Sequence, residues 1–305
     1  MTFDAHYFED EVRDGFLVNS AMKRCWAAQL EVYEDFSNFC KAHDITFYVD
    51  YGTLLGAVRH RGFIPWDDDM DVTMDRENYN RFLELASKEL KTSYVILSPN
   101  LSKGWLYPYA RISNTDMVEA TQKQLDKFHG FPYPAGLDIF PLDPVPRDRG
   151  EFDVQRQIIA ILYKIACVDE VFGENQAGSE ALIAQIEQLC GVKFNRAEPF
   201  QNQMAKLIDQ LACYCPDADL EHFAYWGGLW NDMKWLLKRE WYKEVVYLTF
   251  EGLEVPAPAG YEELLTAVYG DYMKPVKNAA DHEYPYFEKY RKMLRDLHYD
   301  EKDIL

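Results

Sequence analysis

Gly52-Thr-Leu-Leu-Gly-Ala-Val-Arg-His-Arg-Gly-Phe-Ile-Pro-Trp-Asp-Asp-Asp-Met-Asp-Val72 is the stretch on which the reading of this chain turns. A Gly-Thr pair follows the strand-like Ile45-Thr-Phe-Tyr-Val-Asp50, and four aspartates (Asp67, Asp68, Asp69 and Asp71) crowd together just downstream. Carboxylates packed this densely repel one another, so folding them together costs free energy unless a cation is shared. The alternation Asp69-Met-Asp-Val-Thr-Met74 predicts a strand with Asp69 and Asp71 on one face, Asp67 joining if it starts early. Met70, Val72 and Met74 would then face the core. Carboxylates roughly 6–7 Å apart along a strand suit a hard ion such as Mg²⁺, which takes one or two carboxylates plus phosphate oxygens. A calcium loop fits poorly. Its sixth position would be Val72 instead of Gly and its twelfth Asn78 instead of Glu.

Working outward, Gly52 and Thr53 sit where a strand turns into a short helix beginning near Leu54. Gly there lets backbone approach a ligand, Thr53 offers a hydroxyl, and the helix N-terminus offers free N–H groups to a phosphate. Asp138 interrupts the apolar Gly136-Leu-Asp-Ile-Phe140 and is the candidate third carboxylate, because a lone Asp there is costly without a metal or cation. The run Pro141 to Pro146 should end that strand, with Asp143 as a turn or cap residue. Arg59-His-Arg-Gly62 is the clearest local basic patch, so Arg59 and Arg61 are candidates for phosphate oxygens, and Arg111 could aim at the same cleft. His60, between two arginines, is a poor general base.

The chain has 305 residues, 48% hydrophobic and 27% charged, which excludes disordered and fibrous classes. Its 32 Lys+Arg against 51 Asp+Glu give a formal charge of −19, which argues against nucleic acid and anionic lipid as partners. No apolar run is long enough to span a membrane, and the acidic N-terminus is unlike a secretory signal, so a cytoplasmic protein is expected. Of the cysteines (25, 40, 167, 190, 213 and 215), five fall in helical patterns, where a free buried thiol is usual. Cys213 and Cys215 with His222 do not make a zinc site.

Helical spacing covers Val18–Ala42 and Asn78–Leu90, and strands are expected at Tyr94–Leu97, Leu106–Ser113 and Met117–Ala120. Beyond Arg149 the pattern turns helical (152–170, 179–189, 200–213). A hairpin at 245–256, a helix at 261–269 and a polar tail then follow. The fold class expected is α+β, a mixed sheet core with a mostly helical second half, divided as 1–148 and 149–305. Trp226, Trp230 and Trp235 cluster in that second part. Such aromatics are usually core, and they are also candidates to cage a quaternary ammonium.

The order Gly-Thr turn, Asp-x-Asp strand, later carboxylate resembles the nucleotidyltransferase superfold. The block from Gly52 to Val72, with Leu137-Asp-Ile-Phe-Pro-Leu-Asp143, Phe250-Glu-Gly252 and Val268-Tyr-Gly-Asp-Tyr272, resembles the LicD family of bacterial phosphocholine transferases, related to fukutin-type ribitol-phosphate transferases. The middle, about 150–240, carries no motif that can be placed, and acceptor choice is expected to lie there. The resemblance implies a nucleotidyltransferase fold and transfer of phosphocholine from a CDP-linked donor, typically CDP-choline, to a hydroxyl of a cell-surface glycan precursor, with release of CMP. It also implies Mg²⁺, or Mn²⁺ in its place. Asp69 and Asp71 match the paired metal carboxylates, Asp67 a further acidic position and Asp138 the third carboxylate. Gly52 and Thr53 match the phosphate-binding turn, and Arg111 falls where relatives often carry a basic residue. Two other readings stay open: a nucleotidyltransferase that releases pyrophosphate, and a silent domain that binds a nucleotide or a partner.

Overall fold

The computed structural model describes residues 1–166, 176–277 and 284–299. Along the chain, a small hairpin of β1 (Glu11–Arg13) and β2 (Phe16–Val18) precedes helix α1 (Ser20–Ala42). Asn19 caps α1 by accepting from Met22 N at 2.9 Å. The apolar stripe of Met22, Trp26, Leu30, Tyr33, Phe36 and Phe39 is buried, as its spacing predicts. Strand β3 is only Tyr48–Val49. It leads into α2 (Tyr51–Arg59), β4 (Asp71–Asp75) and α3 (Arg76–Glu89), and α3 is capped by Asp75. Then come β5 (Val95–Leu97), β6 (Ala110–Ser113), α4 (Gln122–Lys127) and the long β7 (Gly136–Pro146).

Next follow α5 (Arg149–Ala166), α6 (Gln176–Cys190), α7 (Phe200–Cys213), β8 (Ala218–Ala224), α8 (Trp226–Leu229) and β9 (Leu236–Lys238). The chain closes with the antiparallel hairpin β10 (Val245–Phe250) and β11 (Leu253–Pro258), α9 (Tyr261–Tyr269) and α10 (Arg291–Asp296). The architecture is α+β around a mixed sheet.

Two compact units result, and no single cut in sequence separates them. The first comprises Met1–Ile96, Arg111–Pro141 and Glu240–Leu305, the second Leu97–Ala110 and Leu142–Arg239. Residues after 240, grouped on composition with the helical half, therefore belong to the first unit. There the strand order is β3-β4-β7-β6-β5, with β3 antiparallel to β4 in the register Tyr48↔Thr73 and Val49↔Val72. In the second unit the latter part of β7 pairs with β8, and β8 with β9. Its core gathers Phe152, Ile159, Leu162, Met204, Ile208 and Trp226 from the helices and β8–α8 segment. The Asn202 amide of α7 donates to the carbonyls of Pro99, Ser102 and Trp105, pinning residues 97–110 to that unit.

Several local expectations are corrected. Strand β4 begins at Asp71, so Asp69 lies in irregular backbone before it and shares no strand face with Asp71. Met70, Val72 and Met74 are nonetheless fully buried. Pro141 does not end β7, which runs on to Pro146 and accommodates its prolines by a shift of register between Pro144 and Pro146. Asp143 is consequently a strand residue, 1% exposed, and no turn cap. Met117–Ala120 is irregular, held by Glu119 N donating to Pro132 O. The polar tail contains α10 and a buried Phe287. Cys25 and Cys40 are buried thiols, whereas Cys213 is exposed; Cys167 lies outside the described residues. His222, read as no zinc ligand with the cysteines, pairs with Asp219 at 2.8 Å.

Candidate active site

The site forms in the first unit, where the end of β3, the start of α2 and the segment entering β4 come together. Asp50 caps α2 by accepting from Tyr51 N at 2.8 Å, and its own N–H donates to Asp71 O at 3.1 Å. Tyr51 turns the chain from strand to helix with φ of 48°, a left-handed conformation that costs a non-glycine residue free energy. The helix thus starts three residues earlier than its sequence pattern suggests, and Gly52 and Thr53 fall in its first turn.

Gly52 faces Asp67. A Cβ at Gly52 would stand 2.3 Å from Asp67 Oδ2, so only glycine admits that carboxylate against the helix N-terminus, where the helix dipole favours negative charge. Thr53 is 2% exposed, and its hydroxyl accepts from Asp71 N at 2.8 Å. It therefore fixes the start of β4, a role the sequence did not suggest.

The acidic segment is held from behind. Trp26 Nε1 donates to Asp67 O at 2.9 Å and Gln29 Nε2 to Asp68 O at 2.7 Å, both from α1. Asp68 is fully buried and its carboxylate accepts from Tyr286 N. Oxygens of Asp67, Asp68 and Asp69 lie within 4.8 Å of one another. Asp71 is 8% exposed, and burial holds its carboxyl well above the usual range, reinforced by the charges of Asp69, Asp138, Asp67 and Asp50. The four predicted carboxylates are thus within electrostatic range although they share no strand face. Asp138 enters from β7, where its N–H donates to Met70 O at 3.0 Å, and Arg111 Nε of β6 lies 3.5 Å from Asp138 Oδ1.

The donor set is all hard oxygen, and its mutual repulsion is what a divalent cation would relieve, so the residues fit Mg²⁺ or Mn²⁺.

Arg59 donates to Tyr272 O at 2.9 Å, and burial lowers its pKa against the opposing charges of Asp14 and Asp67. Arg61 is exposed and reaches Thr249 Oγ1 at 3.4 Å. Both therefore meet the C-terminal elements of the same unit. Glu251 fills the space over Gly62, where a Cβ would stand 2.2 Å from its Oε1, and accepts from Phe63 N at 3.2 Å and Arg13 Nη1 at 2.7 Å. The Phe250-Glu-Gly252 motif is thereby a clamp on the loop between α2 and the aspartates.

The tryptophans belong to the second unit. Trp226 is 3% exposed and packs 6.2 Å from Phe152, Trp230 stacks on Tyr163 at 5.7 Å, and Trp235 meets Tyr225 edge-on at 5.4 Å. Trp226 belongs to the core of that unit, and Trp230 and Trp235 pack half-buried against it.

Sequence reasoning passed over Asp50 and Tyr286. An Asp directly before a helix-opening Tyr-Gly-Thr is a capping signal that could have found the first. Tyr286 had no local signal. Its ring lies 5.7 Å from the Arg111 guanidinium and its hydroxyl donates to Pro134 O at 2.9 Å.

Residues 44–136 match the family model described as the LicD/FKTN/FKRP nucleotidyltransferase domain. This part of the chain is similar to the LicD-type nucleotidyltransferase domain. The match runs from β3 to the first residue of β7 and holds the aspartate segment and Arg111; Asp138 follows just past its end. The lipopolysaccharide cholinephosphotransferase LicD of Haemophilus influenzae is 28% identical over 250 residues, which cover 80% of this chain and 88% of that protein. An uncharacterized protein of Rickettsia typhi is 31% identical over 31% of this chain and 32% of its own length. Another, of Rickettsia prowazekii, is 40% identical over 22% of this chain and 25% of its own length. Among the described residues, no helix is long and apolar enough to cross a membrane.

Proposed function

We propose that this protein transfers phosphocholine, or a related phospho-alcohol, from a CDP-linked donor to a hydroxyl of a cell-surface glycan precursor such as lipopolysaccharide, teichoic acid or capsule, and releases CMP. The observation that carries the reading is the convergence of Asp67, Asp69 and Asp71, within the residues that match the family model, with Asp138 just past their end. The likeness to the Haemophilus cholinephosphotransferase, over most of both chains, supports the choline-type donor and the glycan acceptor.

In the reaction the acceptor oxygen attacks the phosphorus distal to the cytidine. The bond from that phosphorus to the bridging oxygen breaks, and CMP leaves with the bonding pair. Such transfers need charge neutralisation and in-line positioning more than covalent chemistry. Asp67, Asp69 and Asp71 would hold Mg²⁺ or Mn²⁺, which would supply charge neutralisation of the diphosphate and the departing CMP. Asp138 adds an oxygen ligand or takes the acceptor's proton. Arg111, beside Asp138, offers its guanidinium to phosphate oxygens. The same reading has the protein act in the cytoplasm or at the inner face of the membrane, where CDP-linked donors are made.

The test is incubation with CDP-choline, CDP-ethanolamine, CDP-ribitol and CDP-glycerol plus Mg²⁺, with CMP read by mass spectrometry. CMP should appear with CDP-choline or a close analogue and vanish with EDTA. Pyrophosphate from CTP or ATP with a sugar acceptor would overturn the assignment.

A further inference from the structure

A second aromatic cluster lies in the first unit, and one of its rings, Trp66, sits on the same segment as the carboxylates. Phe16 of β2 meets Trp66 with ring centroids 6.0 Å apart and planes at 63°, and Tyr284 at 5.5 Å and 76°. The Phe16 ring is thus steeply inclined to both of the others. Trp66 is 6% exposed, whereas Phe16 and Tyr284 keep part of their surface open. Trp66 directly precedes Asp67, and the Tyr284 hydroxyl feels the charges of Asp68 and Asp67, which together with burial push its pKa up. One cation already uses this cluster: the Lys277 ammonium lies 5.5 Å from the centre of the Trp66 ring and donates to Asp14 O at 3.2 Å.

We propose that Phe16, Trp66 and Tyr284 form the niche for the quaternary ammonium of the donor, with the Lys277 ammonium as its resident stand-in. The proposal rests on the phosphocholine reading above and names the residues that would distinguish choline from uncharged head groups. A trimethylammonium is large and weakly hydrated, and it gains from several aromatic faces at once. A primary ammonium is strongly hydrated and compact, so it gives up the position at less cost to the site than a buried ion pair would. The aspartates beside the niche add long-range attraction for a cation and leave the diphosphate to the metal. A neutral glycerol or ribitol would gain nothing from the same rings. The tryptophans of the second unit need no part in this.

The closing experiment measures the affinity of the intact protein for CDP-choline and for CDP by calorimetry with Mg²⁺ present, alongside CMP release from the donor panel. Phe16→Leu and Trp66→Leu should each lower the ratio of CDP-choline to CDP affinity about tenfold, in line with a desolvated cation–π contact. Lys277→Gln should raise that ratio about threefold, because the competing ammonium is gone. This gain guards the proposal where Trp66→Leu fails to fold, and Tyr284→Leu is a further replacement. Ratios that stay at the wild-type value in Phe16→Leu, Tyr284→Leu and Lys277→Gln, while CMP still forms from CDP-choline, overturn the niche and spare the transferase. A wild type that releases CMP from no donor, or only from uncharged ones, overturns the phosphocholine reading and the niche with it.

Discussion

The aspartate segment around 67–71 and the tryptophan segment around 226–235 each concentrate one kind of side chain, and the structure treats them in opposite ways. Aromatic density is absorbed by packing: Trp226, Trp230 and Trp235 find ring partners within the second unit and bury surface that stabilises it. Carboxylate density cannot be absorbed in that way. Asp68 and Asp71 are buried together with their neighbours' charges, and burial drives the Asp71 carboxyl up instead of relieving it. A concentration of apolar rings is consistent with core alone, whereas a buried concentration of like charge is what a bound cation would relieve.

The sharpest way to break this contrast is to remove one charge from the aspartate segment. Asp71→Asn should cut CMP release by about a thousandfold, since it deletes a ligand where charge develops in the transition state. In the absence of metal the same variant should melt at a higher temperature than wild type at neutral pH, because a buried repelling carboxylate is gone. Near wild-type turnover that still responds to EDTA would show that the metal lies elsewhere.

The converse change belongs to the second unit. Trp226→Ala should destabilise the protein by about 3–5 kcal/mol in urea unfolding, as expected for a large buried ring replaced by a cavity. A loss below about 1 kcal/mol, accompanied by weakened CDP-choline binding, would make Trp226 a ligand wall and erase the contrast.

A subtler probe acts on the backbone beneath Asp67. Gly52→Ala sets a methyl 2.3 Å from the present position of Asp67 Oδ2, so the carboxylate must move. Turnover should fall about tenfold to a hundredfold, the usual cost of displacing a positioned group by about an ångström. Activity within threefold of wild type would mean that Asp67 is no fixed ligand.

Legibility followed the range of the interactions. The α1 stripe, the β10–β11 hairpin and the buried Met70, Val72 and Met74 are local patterns, and they were readable. Asp69 acts electrostatically on Asp71, yet not through a shared strand face: tertiary contacts gather those carboxylates. Proline composition misread β7, where a register shift lets the strand continue. The return of residues 240–299 to the first unit was invisible. Glu251 over Gly62 and Tyr286 against Asp68 join residues far apart in sequence, and no period or propensity encodes such pairs.

The smallest effect concerns Asp50, which shares the buried charge of the site without being placed as a metal ligand. Burial raises its carboxyl from 3.8 to about 6, only partly offset by bonds from Tyr51 N and the Thr73 hydroxyl. A carboxyl raised in the folded state opposes folding when ionised: the cost is present above about pH 6 and vanishes below the unfolded value near 4. Asn carries no such charge and can cap α2 through its Oδ1 as Asp does. Asp50→Asn should therefore be more stable than wild type by about 2–3 kcal/mol near pH 8, with the gain shrinking to nothing below pH 4. Urea unfolding of both proteins between pH 4 and pH 8, without divalent metal, reads the difference directly. A loss that appears on adding Mg²⁺, or a loss that grows with pH, would mean that the Asp50 carboxylate is ionised and paired in the fold. Asp50 would then belong with the metal-binding aspartates and not with the helix cap.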